Sequence, residues 1–157
     1  VLVEWSEPVT NGSPITAYRL YIQAHDEGEF IEENVECDTA SGYVVSNRIC
    51  YIYLDTLTAE PYNLVLNEPV KIKVIAINVY GESDYSEIGE GALIKLRPDA
   101  PINLENDPAI TDAFSIAFTY AEGPSDGGTP VIDFDIYYDK AVGDWELLET
   151  GVATLFY

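Results

Sequence analysis

Residues 1–22, VLVEWSEPVTNGSPITAYRLYI, return in altered form at 115–138, SIAFTYAEGPSDGGTPVIDFDIYY. Pro8 aligns with Pro124, Gly12 with Gly128, Pro14 with Pro130, Tyr18 with Phe134 and Leu20 with Ile136, all at an offset of 116 residues. One inserted residue brings Trp5 onto Tyr120, and Phe30 and Trp145 continue the match at an offset of 115. Each copy has the same mechanical parts. An alternating strand (Val1, Val3, Trp5, or Ile116, Phe118, Tyr120) runs into a corner rich in proline and glycine, and a second strand follows. Whatever this chain folds into, it begins to build it twice.

Between the copies, KLRPDAPINLENDPAITD (95–112) carries three prolines and several Asp and Asn residues, the composition of an interdomain joint. The boundary is placed near Pro98, giving domains of 1–98 and 99–157. Helical periodicity is nearly absent, and short alternating segments rich in aromatic and β-branched residues predict an all-β sandwich. KVIAINVYGESDYS (73–86) continues a row in which Val70, Ile72, Val74 and Ala76 share one strand face. Asn78 ends that row, where its amide is suited to tie down a turn at Gly81. DEGEFIEENVEC (26–37) reads as a solvated edge strand or a loop.

Seven basic against twenty-eight acidic residues leave a formal charge of −21, which repels nucleic-acid phosphates and anionic membranes. Nucleic acid is therefore not an expected partner. A hydrophobic content of 47% is enough to fill a core. No apolar stretch approaches the roughly 20 residues that cross a bilayer, so no membrane insertion is expected in this segment. The first residues lack the features of a signal peptide. Val1 reads as mid-strand, so the chain is expected to be a window on a longer one, with any export signal upstream.

Cys37 and Cys50 are separated by twelve residues and have no second pair or histidine cluster beside them, which disfavours zinc. A local disulfide is the better reading, closing a loop whose entropy is worth about 3 kcal/mol. Such bonds persist in oxidising compartments, and an extracellular or cell-surface location is expected. Two buried thiols in a cytosolic protein are the alternative.

Trp5 with Pro8, the NGSPITAYRLYI corner and strand, and KVIAINVYGESDYS resemble the B strand, the C strand and the F–G turn of fibronectin type III domains. Residues 99–157 resemble the first part of a second such domain. AEPYNLVLNEPVKIKVIAINVYGES with GEGALIKLRPDAP is similar to tandem modules in very large surface proteins of protists. The resemblance implies two tandem fibronectin type III-like β-sandwiches, both incomplete in this segment: the first lacking strand A, the second lacking F and G. It also implies that the absent strands come from continuation of the chain or from a neighbouring subunit. Two departures stand out. The tyrosine expected at the start of strand F is Val70 here, and the E–F connection TAEPYNLVLNEP is longer than usual, with the cysteine pair missing from the second copy.

Catalytic chemistry finds little footing. His25, the only histidine, has no Ser or Cys nucleophile at a recognisable spacing and reads as a hairpin-end residue. GPSDGGTP lacks the lysine and the following helix of a phosphate loop. No enzyme activity and no cofactor are expected. Asp99, Glu105, Asn106, Asp107 and Asp112 are hard oxygen donors that calcium accepts, but turn capping explains them equally well, and no metal ligands are assigned.

Contact surfaces are more promising. If Val74 and Ala76 point inward, Ile75 and Ile77 point outward, joined by Tyr21 on the neighbouring strand, and these three are the candidate interface. Lys71 and Lys73 interrupt the stripe. Tyr51 and Tyr53 form a second outward pair. Asn11-Gly12-Ser13 is an N-glycosylation pattern in an exposed corner, where Asn11 is the acceptor and Pro14 lowers its use. The expected role is a non-catalytic structural repeat of a long extracellular or surface protein, building a fibre, coat or appendage with neighbouring copies. An adhesion or ligand-binding module recognising carbohydrate or protein is the alternative.

Overall fold

Alternation decides the first long strand. Along β2 (Ala17–Gln23), Tyr18, Leu20 and Ile22 are buried, while the residues between them remain half-exposed. The computed structural model describes residues 1–157 as two compact units, Val1–Ile94 and Lys95–Tyr157. Both are built from short antiparallel strands, and the chain is all-β apart from two short helices.

In the first unit, β2 lies at the centre of a four-stranded sheet. It pairs with β3 (Phe30–Glu33) on one side and β5 (Ile72–Asn78) on the other, and β5 continues to β6 (Gly81–Glu82). A second sheet joins β1 (Leu2–Glu4) to β4 (Ile49–Tyr51), with Val3 opposite Cys50. Val3, Cys50 and Ile52 from this sheet meet Leu20 and Ile22 from the other, in a core completed by Leu57, Tyr62, Leu64, Val70 and Ile94. This is the B–E and C′–C–F–G pairing of a fibronectin type III-like sandwich.

The small polar residues after Asn78 have a structural purpose. The Asn78 side-chain oxygen accepts the Tyr80 N–H at 2.9 Å, and Gly81, at φ +136°, turns the chain back. The hydroxyls of Ser83 and Ser86 then accept the N–H groups of Ala76 and Val74, both at 3.0 Å. The N–H groups of the same serines donate to the carbonyls of Ala76 and Val74 at 2.9 Å. Serine thus extends the ladder along β5 where the returning segment is not a regular strand.

Two elements depart from expectation. Helices α1 (Gly42–Asn47) and α2 (Leu54–Thr58) lie in a region with no helical periodicity. Local capping makes α1: the Ser41 hydroxyl accepts the Val44 N–H at 3.2 Å, and Arg48 closes the helix in the left-handed conformation. At six residues, such a helix is too short to show a repeating apolar face. Residues 26–37 are also less solvated than expected. They supply edge strand β3, but Glu33 at its end is buried.

The second unit pairs β7 (Ile102–Asn106) with β8 (Phe118–Ala121), and residues 155–157 bond to the other edge of β8. β9 (Phe134–Tyr138) pairs with β10 (Glu146–Val152). Residues 95–98, assigned from sequence to the first domain, lie in the second unit, where the Leu96 N–H bonds to the Gly127 carbonyl and the Asp99 N–H to that of Ser125.

Candidate interaction face and the side chains around it

The outer face of the four-stranded sheet carries the three residues proposed from sequence. Ile75 sits opposite Arg19, Ile77 opposite Ala17, and Tyr21 opposite Lys73. Tyr21 and Ile77 are half-buried, but Ile75 is only 6% exposed and offers no free apolar surface. Its cross-strand neighbour explains the correction: a long arginine stem lies beside it while the charged head stays in water. Period two told which face Ile75 occupies but not what would lie over it.

A charged and aromatic lattice surrounds that position. Arg19 reaches Glu82 on β6 at 3.0 Å and Glu32 on β3 at 3.6 Å, linking β2 to both outer strands of the sheet. A hydrogen bond to Tyr21 and then the two carboxylates hold the guanidinium more firmly protonated than usual. Tyr21 meets Tyr85 edge to face at 5.2 Å, and the Lys73 ammonium lies 4.3 Å from the centre of the Phe30 ring and 5.4 Å from that of Tyr85. Tyr51 and Tyr53, the second outward pair, are both well exposed.

Cys37 and Cys50 form a disulfide with 5.8 Å between their Cα atoms, and both are buried in the core. The bond ties the segment after β3 to β4 and encloses α1. Close by lies a constellation that the sequence reading missed. Glu33 accepts hydrogen bonds from the Tyr62 hydroxyl and from the N–H groups of Val35 and Glu36, each at 2.8 Å. Burial, then the bond to this carboxylate, pushes the Tyr62 hydroxyl far above its ordinary titration range. Glu36 in turn accepts from the Tyr53 N–H at 2.6 Å and from the Thr56 hydroxyl at the start of α2. A signal was available: Glu33 stands two residues after Ile31 and so shares its strand face.

His25 is exposed at a hairpin end, with Nδ1 2.8 Å from Glu68. Glu68 also accepts the N–H groups of Val65 and Asp26. Its partial burial opposes ionisation, but these bonds and the histidine outweigh it, and its pKa lies below the usual carboxylate range. No nucleophile joins this pair. Asp107 and Asp112, offered as calcium donors, cap turns instead. The first accepts the Ala109 N–H at 3.0 Å, and the second accepts the N–H groups of Phe114 and Ser115 and the Ser115 hydroxyl. Asn106 bonds to Thr111, and no group of three or more acidic, cysteine or histidine residues converges to hold a metal ion. Asn11 is exposed in a turn closed by the Ser13 N–H to Thr10 carbonyl bond at 3.1 Å. It shares positive φ with Gly12, and Ser13 is buried.

No family model matches the chain. Among solved structures, the FN1-FN3 domains of chicken CNTN1 align with 99% of this chain and 49% of that one, at 15% identity and a TM-score of 0.41. The chain therefore spans about half the length of that structure. No helix here is long and apolar enough to cross a membrane.

Proposed function

We propose that this chain is a non-catalytic structural repeat of a long extracellular or surface protein, one that builds a fibre, coat or appendage with adjacent repeats or neighbouring copies. The observation that carries this reading is the duplication: the strand–corner–strand unit is laid down twice, and the first unit also holds a buried disulfide between the segment after β3 and β4. The ionisable side chains singled out from the sequence serve as turn caps and a hairpin-end pair, and Glu33 and Tyr62 join a buried hydrogen-bond cluster, which suits a structural module better than a reaction centre. The disulfide supports an oxidising compartment. Resemblance of the KVIAINVYGES and KLRPDAP stretches to modules of large protist surface proteins favours the same role.

Imaging the native assembly with an antibody against residues 1–157 tests it. Labels recurring along a fibre or coat are the expected result. Labels on single dispersed particles, together with saturable binding of a sugar or protein to the Tyr21 face, would replace this reading with an adhesion module.

A further inference from the structure

At the corner between β1 and β2, Asn11 and Gly12 adopt φ of +51° and +88°, and the Ser13 N–H closes the turn on the Thr10 carbonyl at 3.1 Å. Left-handed backbone at two successive positions explains why an Asn-Gly pair stands here. The same pair leaves a reactive amide in the open. Asn11 and Gly12 are both exposed, and a Cβ added to Gly12 would meet no atom within 4 Å. Neither the Asn11 side chain nor the Gly12 N–H has a hydrogen-bond partner.

The other asparagines lack this combination. None of them precedes a glycine. Asn78 accepts the Tyr80 N–H, Asn106 accepts the Thr111 hydroxyl, and Asn47 donates to the Tyr43 carbonyl, so their amides are engaged. Asn34, Asn63 and Asn103 precede valine or leucine, whose side chains crowd the next backbone nitrogen. Only at Asn11 do a free side-chain carbonyl and an unshielded nitrogen stand in adjacent residues, where ring closure has the advantage of an intramolecular reaction.

We propose that Asn11–Gly12 is a self-modifying site, which converts asparagine to isoaspartate and aspartate with water as the reagent. The Gly12 N–H gives its proton to a solvent base, and its nitrogen bonds to the Asn11 Cγ. The bond from Cγ to the side-chain nitrogen breaks, and that nitrogen takes up a proton and leaves as ammonia. Water then opens the cyclic imide without oxidation or reduction. Attack at Cγ gives aspartate; attack at the backbone carbonyl gives isoaspartate, with one more carbon in the main chain.

Either product places a new carboxylate in the cleft of about 210 Å³ between this corner and the turn after Asn78, a cleft that Glu82 also lines. The reaction therefore changes the charge and the chain length at one end of the first unit. A sugar on Asn11 would occupy the nitrogen that must leave, so glycosylation and self-modification exclude each other in any one molecule. The site does not depend on the structural role proposed above.

The full chain, disulfide-bonded and made without a sugar at Asn11, is aged at mildly alkaline pH and digested with trypsin. Residues 1–19 form one tryptic peptide in which Asn11 is the only side-chain amide. A gain of about 1 Da is expected in this peptide, divided between two chromatographic species, one of them labelled by an isoaspartyl methyltransferase. The rate should rise about tenfold per pH unit and stay within about tenfold of the rate in the urea-unfolded chain. Asn11→Gln should abolish the labelling of this peptide. A folded-state rate more than about tenfold below the unfolded one would overturn the proposal. So would aspartate formed without isoaspartate, or an equally rapid gain in the peptides that hold the other asparagines.

Discussion

The same strand pair occurs twice in this chain and reaches two different degrees of burial. In the first unit, Tyr18 and Leu20 are almost fully enclosed; their counterparts in the second are Phe134, half-buried, and Ile136, 8% exposed. Twelve buried residues form the core cluster of the first unit, whereas Ala117, Tyr120 and Ile136 are the buried hydrophobic residues of the second. Local pattern is common to both, so it cannot be the cause of the difference. What the first unit adds is β5 along β2, the segment of residues 83–94 along β5, and the disulfide. The lesson is that alternation makes a strand, but a strand becomes core only when another lies beside and above it.

That contrast can be broken most forcefully at the disulfide. Replacing Cys37 and Cys50 with alanine is expected to destabilise the first unit by about 3 kcal/mol and leave the second unchanged. Trp5 and Trp145 report the two units separately in denaturant titrations of single-tryptophan variants. Equal losses at both tryptophans would show that the units unfold as one.

Glu33→Ala follows, at about 2–3 kcal/mol, because it strands the buried Tyr62 hydroxyl and removes the acceptor of two partly buried backbone N–H groups. The loss should again be confined to the first unit, read by Trp5. A neutral outcome would mean that water replaces the carboxylate and that the cluster is not a structural anchor.

Gly127→Ala probes the second unit instead. Gly127 has φ +71°, and an added Cβ would lie 2.1 Å from the Leu96 carbonyl oxygen, so the backbone must move. The expected cost is about 2 kcal/mol, with Trp145 shifting and Trp5 unaffected. An unchanged midpoint would mean that residues 95–98 contribute nothing to that unit.

The smallest effect is a pH dependence in the first unit. Tyr62 has a raised pKa in the folded state, so its contribution is fully present below the ordinary phenol value near 10 and drains away as pH rises from there toward the folded value. Between pH 9 and 11, native protein should lose up to about 1.4 kcal/mol more than Tyr62→Phe. Identical pH profiles for the two would remove Tyr62 from the linkage.

Much of this was legible in the residues. The 116-residue offset and the period-two rows located β2, β5, β8 and β9, because strand formation answers to neighbours along the chain. Asn78 and Gly81 announced their turn for the same reason. Helix α1 was not legible, since one cap at Ser41 and one left-handed residue at Arg48 leave no periodic trace.

The sequence alone determined the all-β character, the duplication, the charge and which side chains share a strand face, since all of these follow from residue type and spacing. Only the tertiary structure decided that Ile75 is covered while Tyr21 remains half-exposed, that Glu33 belongs to the interior, and that Tyr18 is buried while its counterpart Phe134 is half-buried. Burial depends on which distant segment arrives alongside, such as β5 against β2 or Tyr62 against Glu33, and no local pattern encodes that arrival.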